Sequence, residues 1–144
     1  VASHDHDLLA RMAAYKDYTS ICNSAPSEIL ALIGLRAKER LLERNLRIIR
    51  SNMAPLDAFF TRFDGMFRWV RPRAGSVSFP RLTADRSIDD FAAELVEKEG
   101  VLLLPGSVYD HPGNHFRLGF GRTNMPEALF RLERFAAERL GGGA

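Results

Sequence analysis

His115-Phe116-Arg117-Leu118-Gly119-Phe120-Gly121-Arg122 is the stretch whose alternation decides the fold. Laid out as a strand, it turns Phe116, Leu118 and Phe120 to one side and Arg117, Gly119 and Gly121 to the other. The aromatic side requires a core. The other side carries one guanidinium with no bulky neighbour along its own strand. Glycine inside a strand weakens it and marks a place where a ligand or a second backbone comes close. An arginine beside such a gap suits a carboxylate or phosphate, gripped through two parallel hydrogen bonds. The alternative is a solvated strand face with Arg117 paired to a nearby glutamate, and these eight residues leave both open.

Upstream of this strand, Val101-Leu102-Leu103-Leu104 is a continuous apolar run and predicts a buried strand that Pro105-Gly106-Ser107 breaks. Before it, Ser87 and Asp90 have capping-box spacing, and Ile88, Phe91, Ala92, Leu95 and Val96 give the apolar face of a helix that Gly100 ends. Met66–Val70 and Ser76–Phe79 predict a hairpin across the loop Arg71–Gly75, with a polar connection from Arg81 to Ser87. Downstream, Asn124-Met125-Pro126-Glu127 starts a last helix with Leu129, Leu132, Ala136 and Leu140 on one face, ended by Gly141–Gly143.

Towards the N-terminus, Ser24 and Pro26 open a long helix running to about Met53, which Pro55 ends. Its apolar stripe is Leu32, Leu35, Leu42, Leu46, Ile49 and Met53, and its other face is rich in arginine, with Glu43 and Arg47 in the favourable i,i+4 order. A short helix, Leu8 to Tyr15, precedes it. Val1-Ala2-Ser3 reads as the tail of a strand already under way, which suggests a piece of a longer chain. The order helix, helix, two strands, helix, strand, strand, helix predicts an α+β fold, a small mostly antiparallel sheet with helices packed on one face.

The 144 residues are enough for one domain with an appendage, and 46% hydrophobic with 26% charged residues is an ordinary globular composition. A net charge of +2, with bases and acids interleaved, does not argue for nucleic acid. The single cysteine, Cys22, fits a reducing, cytoplasmic setting, and no apolar run approaches the ~20 residues of a membrane span.

Other candidates for chemistry have plainer readings. His4 and His6 flank a turn with no further ligand, so a metal is not expected. Ser107 lacks a nucleophile elbow. His111 and His115 flank a Pro-Gly-Asn turn with no acid to complete a triad. Asp89 and Asp90 have a structural use at a helix start. Arg117 is the residue that composition and spacing single out.

Glu99-Gly100-Val101-Leu102-Leu103-Leu104-Pro105-Gly106-Ser107 followed by Phe116-Arg117-Leu118-Gly119-Phe120-Gly121-Arg122 resembles the closing segment of class I/II aminotransferases, pyridoxal-phosphate enzymes of fold type I. Pro72-x-Ala74-Gly75 resembles their small-domain hairpin, Asn23–Glu28 their interdomain segment, and Val1–Ser3 the end of the strand after the cofactor lysine. Together these run over essentially the whole chain in the family's order.

The resemblance implies residues 1–22 as the edge of the large cofactor-binding domain, 23–54 as the interdomain helix and 55–144 as the small domain. It implies that Arg117 binds the substrate α-carboxylate, with pyridoxal 5'-phosphate as cofactor and an amino acid and a 2-oxo acid as substrates. The parent is expected to be a homodimer and this fragment to self-associate, with neither nucleic acid nor membrane as partner. Lys16, Lys38 and Lys98 match no family motif, so the Schiff-base lysine is expected upstream and the fragment alone is expected to be inactive. A β-lyase on the same fold and the effector-binding half of an aminotransferase-like transcription regulator are the alternatives, besides a free-standing carboxylate-binding module.

Overall fold

The computed structural model describes residues 2–140. The chain forms two compact units, residues 1–42 and 43–144. The first contains α1 (His6–Asp17) and α2 (Ala25–Arg36). Asp5 caps α1, its carboxylate accepting from the Leu8 N–H at 2.9 Å. Neither helix buries a residue. Ala2 and Ser3 lie in no strand, and Val1 falls outside the described residues.

The long helix expected from Ser24 to Met53 is two. A break at Ala37 separates α2 from α3 (Lys38–Arg62). No glycine or proline stands at Ala37, so periodicity alone reads through it. Pro55 does not end α3 but lies inside it. An interior proline costs ~3 kcal/mol, since its N–H is missing and its ring crowds the preceding turn. Met53, Leu56, Phe59 and Phe60 are all buried around it. At roughly 1.5–3 kcal/mol each, their burial outweighs that cost. The predicted apolar stripe is buried only from its end: Leu35 and Leu42 are exposed, Ile49 is half-buried and Met53 is in the core.

In the second unit the strands are β1 (Phe67–Arg68), β2 (Val77–Ser78), β3 (Arg81–Leu82), β4 (Leu104–Pro105) and β5 (Phe116–Gly119). Two helices join them, α4 (Ile88–Glu99) and α5 (Met125–Leu140). β5 lies between β2 and β4, antiparallel to both. The expected hairpin of Met66–Val70 with Ser76–Phe79 does not form. β1 pairs instead with β3, Phe67 opposite Leu82, in the segment expected to be a polar connection. One register runs alongside β5, from Ser76, whose carbonyl accepts the Phe120 N–H, to Leu82, which donates to Asn114. β2 is drawn to β5 by that continuous pairing, and β1 to β3 because Phe67 and Leu82 are both core residues. All the strand pairings are antiparallel, as the α+β reading expects.

Val101–Leu104 is not uniformly buried. Val101 and Leu103 are inside, but Leu102 is 69% exposed and the paired strand is only Leu104–Pro105. Pro105 is tolerated because β4 is an edge. Ser87 caps α4, its hydroxyl accepting from Asp89, and Gly100 takes the left-handed conformation at φ 65°. The termination of α5 by Gly141–Gly143 falls outside the described residues.

Phe67 is the centre of the core, its ring 5.6 Å from Phe59, 6.1 Å from Phe91 and 5.9 Å from Phe116. Asn52 of α3, buried among these apolar residues, donates from Nδ2 to the carbonyls of Phe120 at 2.9 Å and Arg122 at 2.8 Å. Replacing Asn52 by Ala strands both acceptors and is expected to cost about 2 kcal/mol. Phe67→Ala is expected to cost about 3–5 kcal/mol, whereas Leu102→Ala should stay within about 0.5 kcal/mol. Urea unfolding of the three variants checks this ordering.

Candidate functional site

β5 alternates as its sequence predicts: Phe116 and Leu118 are buried, Arg117 and Gly119 exposed. The two glycines expected to mark a close approach do different things. A Cβ on Gly121 would lie 2.9 Å from that of Ser76, so Gly121 lets the neighbouring backbone in. At Gly119 nothing lies within 4 Å, so space stays open beside Arg117.

Arg117 sits opposite Leu104 of β4 on one side. On the other, the register set by Val77 against Gly119 and Arg81 against His115 brings Phe79 opposite it. Among the described residues no carboxylate lies within ion-pair distance of its guanidinium, so the pairing with a nearby glutamate does not occur. Clefts open on both flanks. One, of about 440 Å³, is walled by Val77, Ser78, Phe79 and Tyr109. The other, of about 410 Å³, is shared with Leu104, Gly119, Arg122 and Asn124 among others. A larger cleft of about 560 Å³ lies at Asp57, Asp64, Arg68 and Arg71, away from Arg117. There Asp57 is already bound by Arg71 at 3.0 Å.

Tyr109 is delivered by a short 3-10 helix, Gly106–Tyr109. A side chain at Gly106 would meet the His115 carbonyl at 3.1 Å, and its N–H donates to that same oxygen at 2.6 Å. Asn114 holds the other end of the loop, accepting from the Ile88 N–H at 3.0 Å and donating to the Arg86 carbonyl at 2.6 Å. The ring of Phe79 is fixed from behind: His115 stacks on it at 5.3 Å, His111 meets its edge at 5.1 Å, and the two imidazoles are 4.7 Å apart. His115 Nδ1 is buried without a partner. Burial, then the neighbouring His111 and Arg81, hold its pKa below the usual 6.5.

The remaining candidates are elsewhere. The Ser107 hydroxyl donates to Asp89, which with Asp90 occupies the first turn of α4. His4 is exposed and His6 begins α1, beside the capping Asp5. Cys22 is a free, exposed thiol. Among the described residues no three His, Cys, Asp or Glu side chains group as a metal site needs, and no helix is long and apolar enough to cross a membrane. The three lysines line neither Arg117 cleft. Lys16 donates to the Ile21 carbonyl at 3.0 Å, Lys38 pairs with Glu39 and Lys98 with Glu94. Sequence reasoning missed Val77, Phe79, Tyr109 and Arg122 as cleft walls. The alternation of Val77 and Phe79 was the available signal, obscured by their assignment to a hairpin with Met66–Val70.

No family model matches the chain. Capreomycidine synthase of Streptomyces vinaceus is 27% identical over 114 residues, which is 79% of this chain and 29% of that enzyme. A solved PLP-dependent aminotransferase from Streptococcus suis is 30% identical with a TM-score of 0.80, over 92% of this chain and 36% of its own. The solved PLP-dependent cyclase OrfR is 27% identical with the same TM-score of 0.80, over 92% of this chain and 37% of its own. The chain therefore spans about a third of the length of the proteins it matches. Its resemblance to pyridoxal-phosphate-dependent aminotransferases is visible in the backbone as well as in the sequence.

Because the fold lowers the His115 pKa, the unfolded chain binds the proton more readily. Its contribution to stability is fully present above pH 6.5 and is lost as the pH falls through the lowered folded value. His115→Phe, which keeps a ring against Phe79, is expected to flatten this acid-side decline in urea midpoints measured from pH 7.5 to 5.

Proposed function

We propose, on the premise that the chain carries the fold of pyridoxal-phosphate-dependent aminotransferases, that Arg117 receives the α-carboxylate of an amino acid or 2-oxo acid. The reaction is amino-group transfer between the two, carried out by a longer protein to which these residues contribute the small domain. The observation behind this is Arg117 itself: a guanidinium without a carboxylate partner, centred on a strand held from both sides and open to two clefts.

A planar two-pronged cation fixes both the position and the tilt of a carboxylate, where lysine would fix only its distance. Held so, the α-carbon and its amino or oxo group project from a known point, which is what reaction at that carbon requires. Pyridoxal phosphate supplies the electron sink in such chemistry. In this reading the part played by these residues is binding and orientation. Residues 1–22 are taken as the edge of the large domain, 23–54 as interdomain and 55–144 as the small domain. The parent is taken as a homodimer. In the isolated chain, the exposed Ile29, Leu30, Ile33 and Leu35 of α2 are taken to drive self-association.

A second reading is favoured by the likeness to two proteins named a synthase and a PLP-dependent cyclase. In a cyclising enzyme Arg117 would grip the same carboxylate. The parent protein distinguishes them: transfer yields a new amino acid from an added 2-oxo acid, whereas cyclisation needs no acceptor.

Titration of the 144-residue chain with a 2-oxo acid, followed by nuclear magnetic resonance, is expected to shift the Arg117 resonances. Arg117→Ala should weaken that binding by at least about tenfold. Unchanged binding in the variant would remove the carboxylate role. Borohydride treatment with pyridoxal phosphate is expected to leave no adduct concentrated at one lysine, and such an adduct would place the cofactor site in this chain.

A further inference from the structure

We infer that the cleft between the end of α3 and β1 is a second ligand site, one that takes a free amino acid by its ammonium and its carboxylate together. It is independent of the role given to Arg117. The cleft holds about 560 Å³, within the range of small-molecule sites, and shares no lining residue with the two clefts at Arg117. One wall is aromatic. Trp69, half-buried, stacks on Phe60 of α3 with the rings 4.5 Å apart and 22° between their planes, and Phe67 lines the same cleft. The indole N–H of Trp69 is buried with no acceptor among the described residues, a costly state for a donor.

Some of the polar groups around this wall are matched by the fold itself. Asp57 is held by Arg71, whose Nε donates to its two oxygens at 3.0 and 3.1 Å. Thr61 and Thr83 donate their hydroxyls to the carbonyls of Asp57 and Gly65, each at 2.8 Å. Asp64 and Arg68 are different. Both line the cleft, and among the described residues neither has an ion-pair partner. One Asp64 oxygen accepts the Gly65 N–H at 3.1 Å, which fixes the carboxylate and leaves its second oxygen for a donor. Arg68 stands opposite Arg81 across β1 and β3, so its cross-strand neighbour repels it instead of pairing with it. A carboxylate, a guanidinium and an aromatic wall in one cleft match a zwitterion with an apolar body. The ligand ammonium meets Asp64, its carboxylate meets Arg68, and its side chain lies along Phe60 and Trp69. A ligand with only one of the two charges leaves the other group unmatched.

Trp69 is the only tryptophan of the chain, so its fluorescence reports on this cleft. The test titrates three compounds into the 144-residue chain: L-phenylalanine, phenethylamine, which lacks the carboxylate, and 3-phenylpropionate, which lacks the ammonium. The same titrations are made with the Asp64→Asn, Arg68→Gln and Arg117→Ala variants. Asp64 and Arg68 are exposed, and asparagine at position 64 can still accept the Gly65 N–H, so the fold should be kept, which circular dichroism checks. The expected result is a saturable change of Trp69 fluorescence with phenylalanine, and binding about tenfold weaker for either analogue. Asp64→Asn and Arg68→Gln should each bring phenylalanine down to the level of the analogues, while Arg117→Ala leaves it unchanged. Absence of a saturable change, an analogue that binds as tightly as phenylalanine, or a response unaltered in either cleft variant overturns the site. A response lost in Arg117→Ala also overturns it, since the signal then belongs to Arg117.

Discussion

A strand cannot bury Phe116, Leu118 and Phe120 without presenting Arg117 and Gly119 on the opposite side, and the second unit is built on that constraint. Slipping β5 by one residue would drive the Arg117 guanidinium into a core of phenylalanine rings, which its desolvation forbids. Because β2 and β4 both pair with β5, neither flank is free to slide. The arginine is therefore held by the packing of residues that never touch its guanidinium.

Two asparagine side chains tie this strand to the helices. Asn114, just before β5, bonds to Arg86 and Ile88 at the start of α4. Asn52 of α3 takes the carbonyls of Phe120 and Arg122 just after it. Each joins segments far apart in the chain, and Asn52 does so where an unpaired amide would be costly. The same contacts that order the core thus fix where Arg117 and Arg122 stand. A site assembled from a central strand and its exit inherits the rigidity of the core.

The lysines of the chain are engaged away from Arg117, and the chain spans about a third of the length of the proteins it matches. What lies beside Arg117 is differentiated: an aromatic wall braced by His111 and His115 on one flank, a second arginine on the other. That asymmetry gives the two flanks of Arg117 different chemistry.

The features legible in the sequence were those set by local chemistry. The alternation of β5 and its exposed Arg117, the Ser87 and Gly100 caps of α4, and the apolar faces of α4 and α5 all follow from period and capping. Only the tertiary structure decided the rest. Pro55 stays inside α3 because burial of its neighbours exceeds the cost of the ring, a sum no local rule contains. Phe67 pairs with Leu82 rather than within a hairpin because strand choice is made by the core and by a continuous register with β5. Phe79 became a neighbour of Arg117 through the register of β2 with β5. Short-range periodicity states which face a residue takes. Which distant segment meets that face depends on non-local burial and backbone pairing.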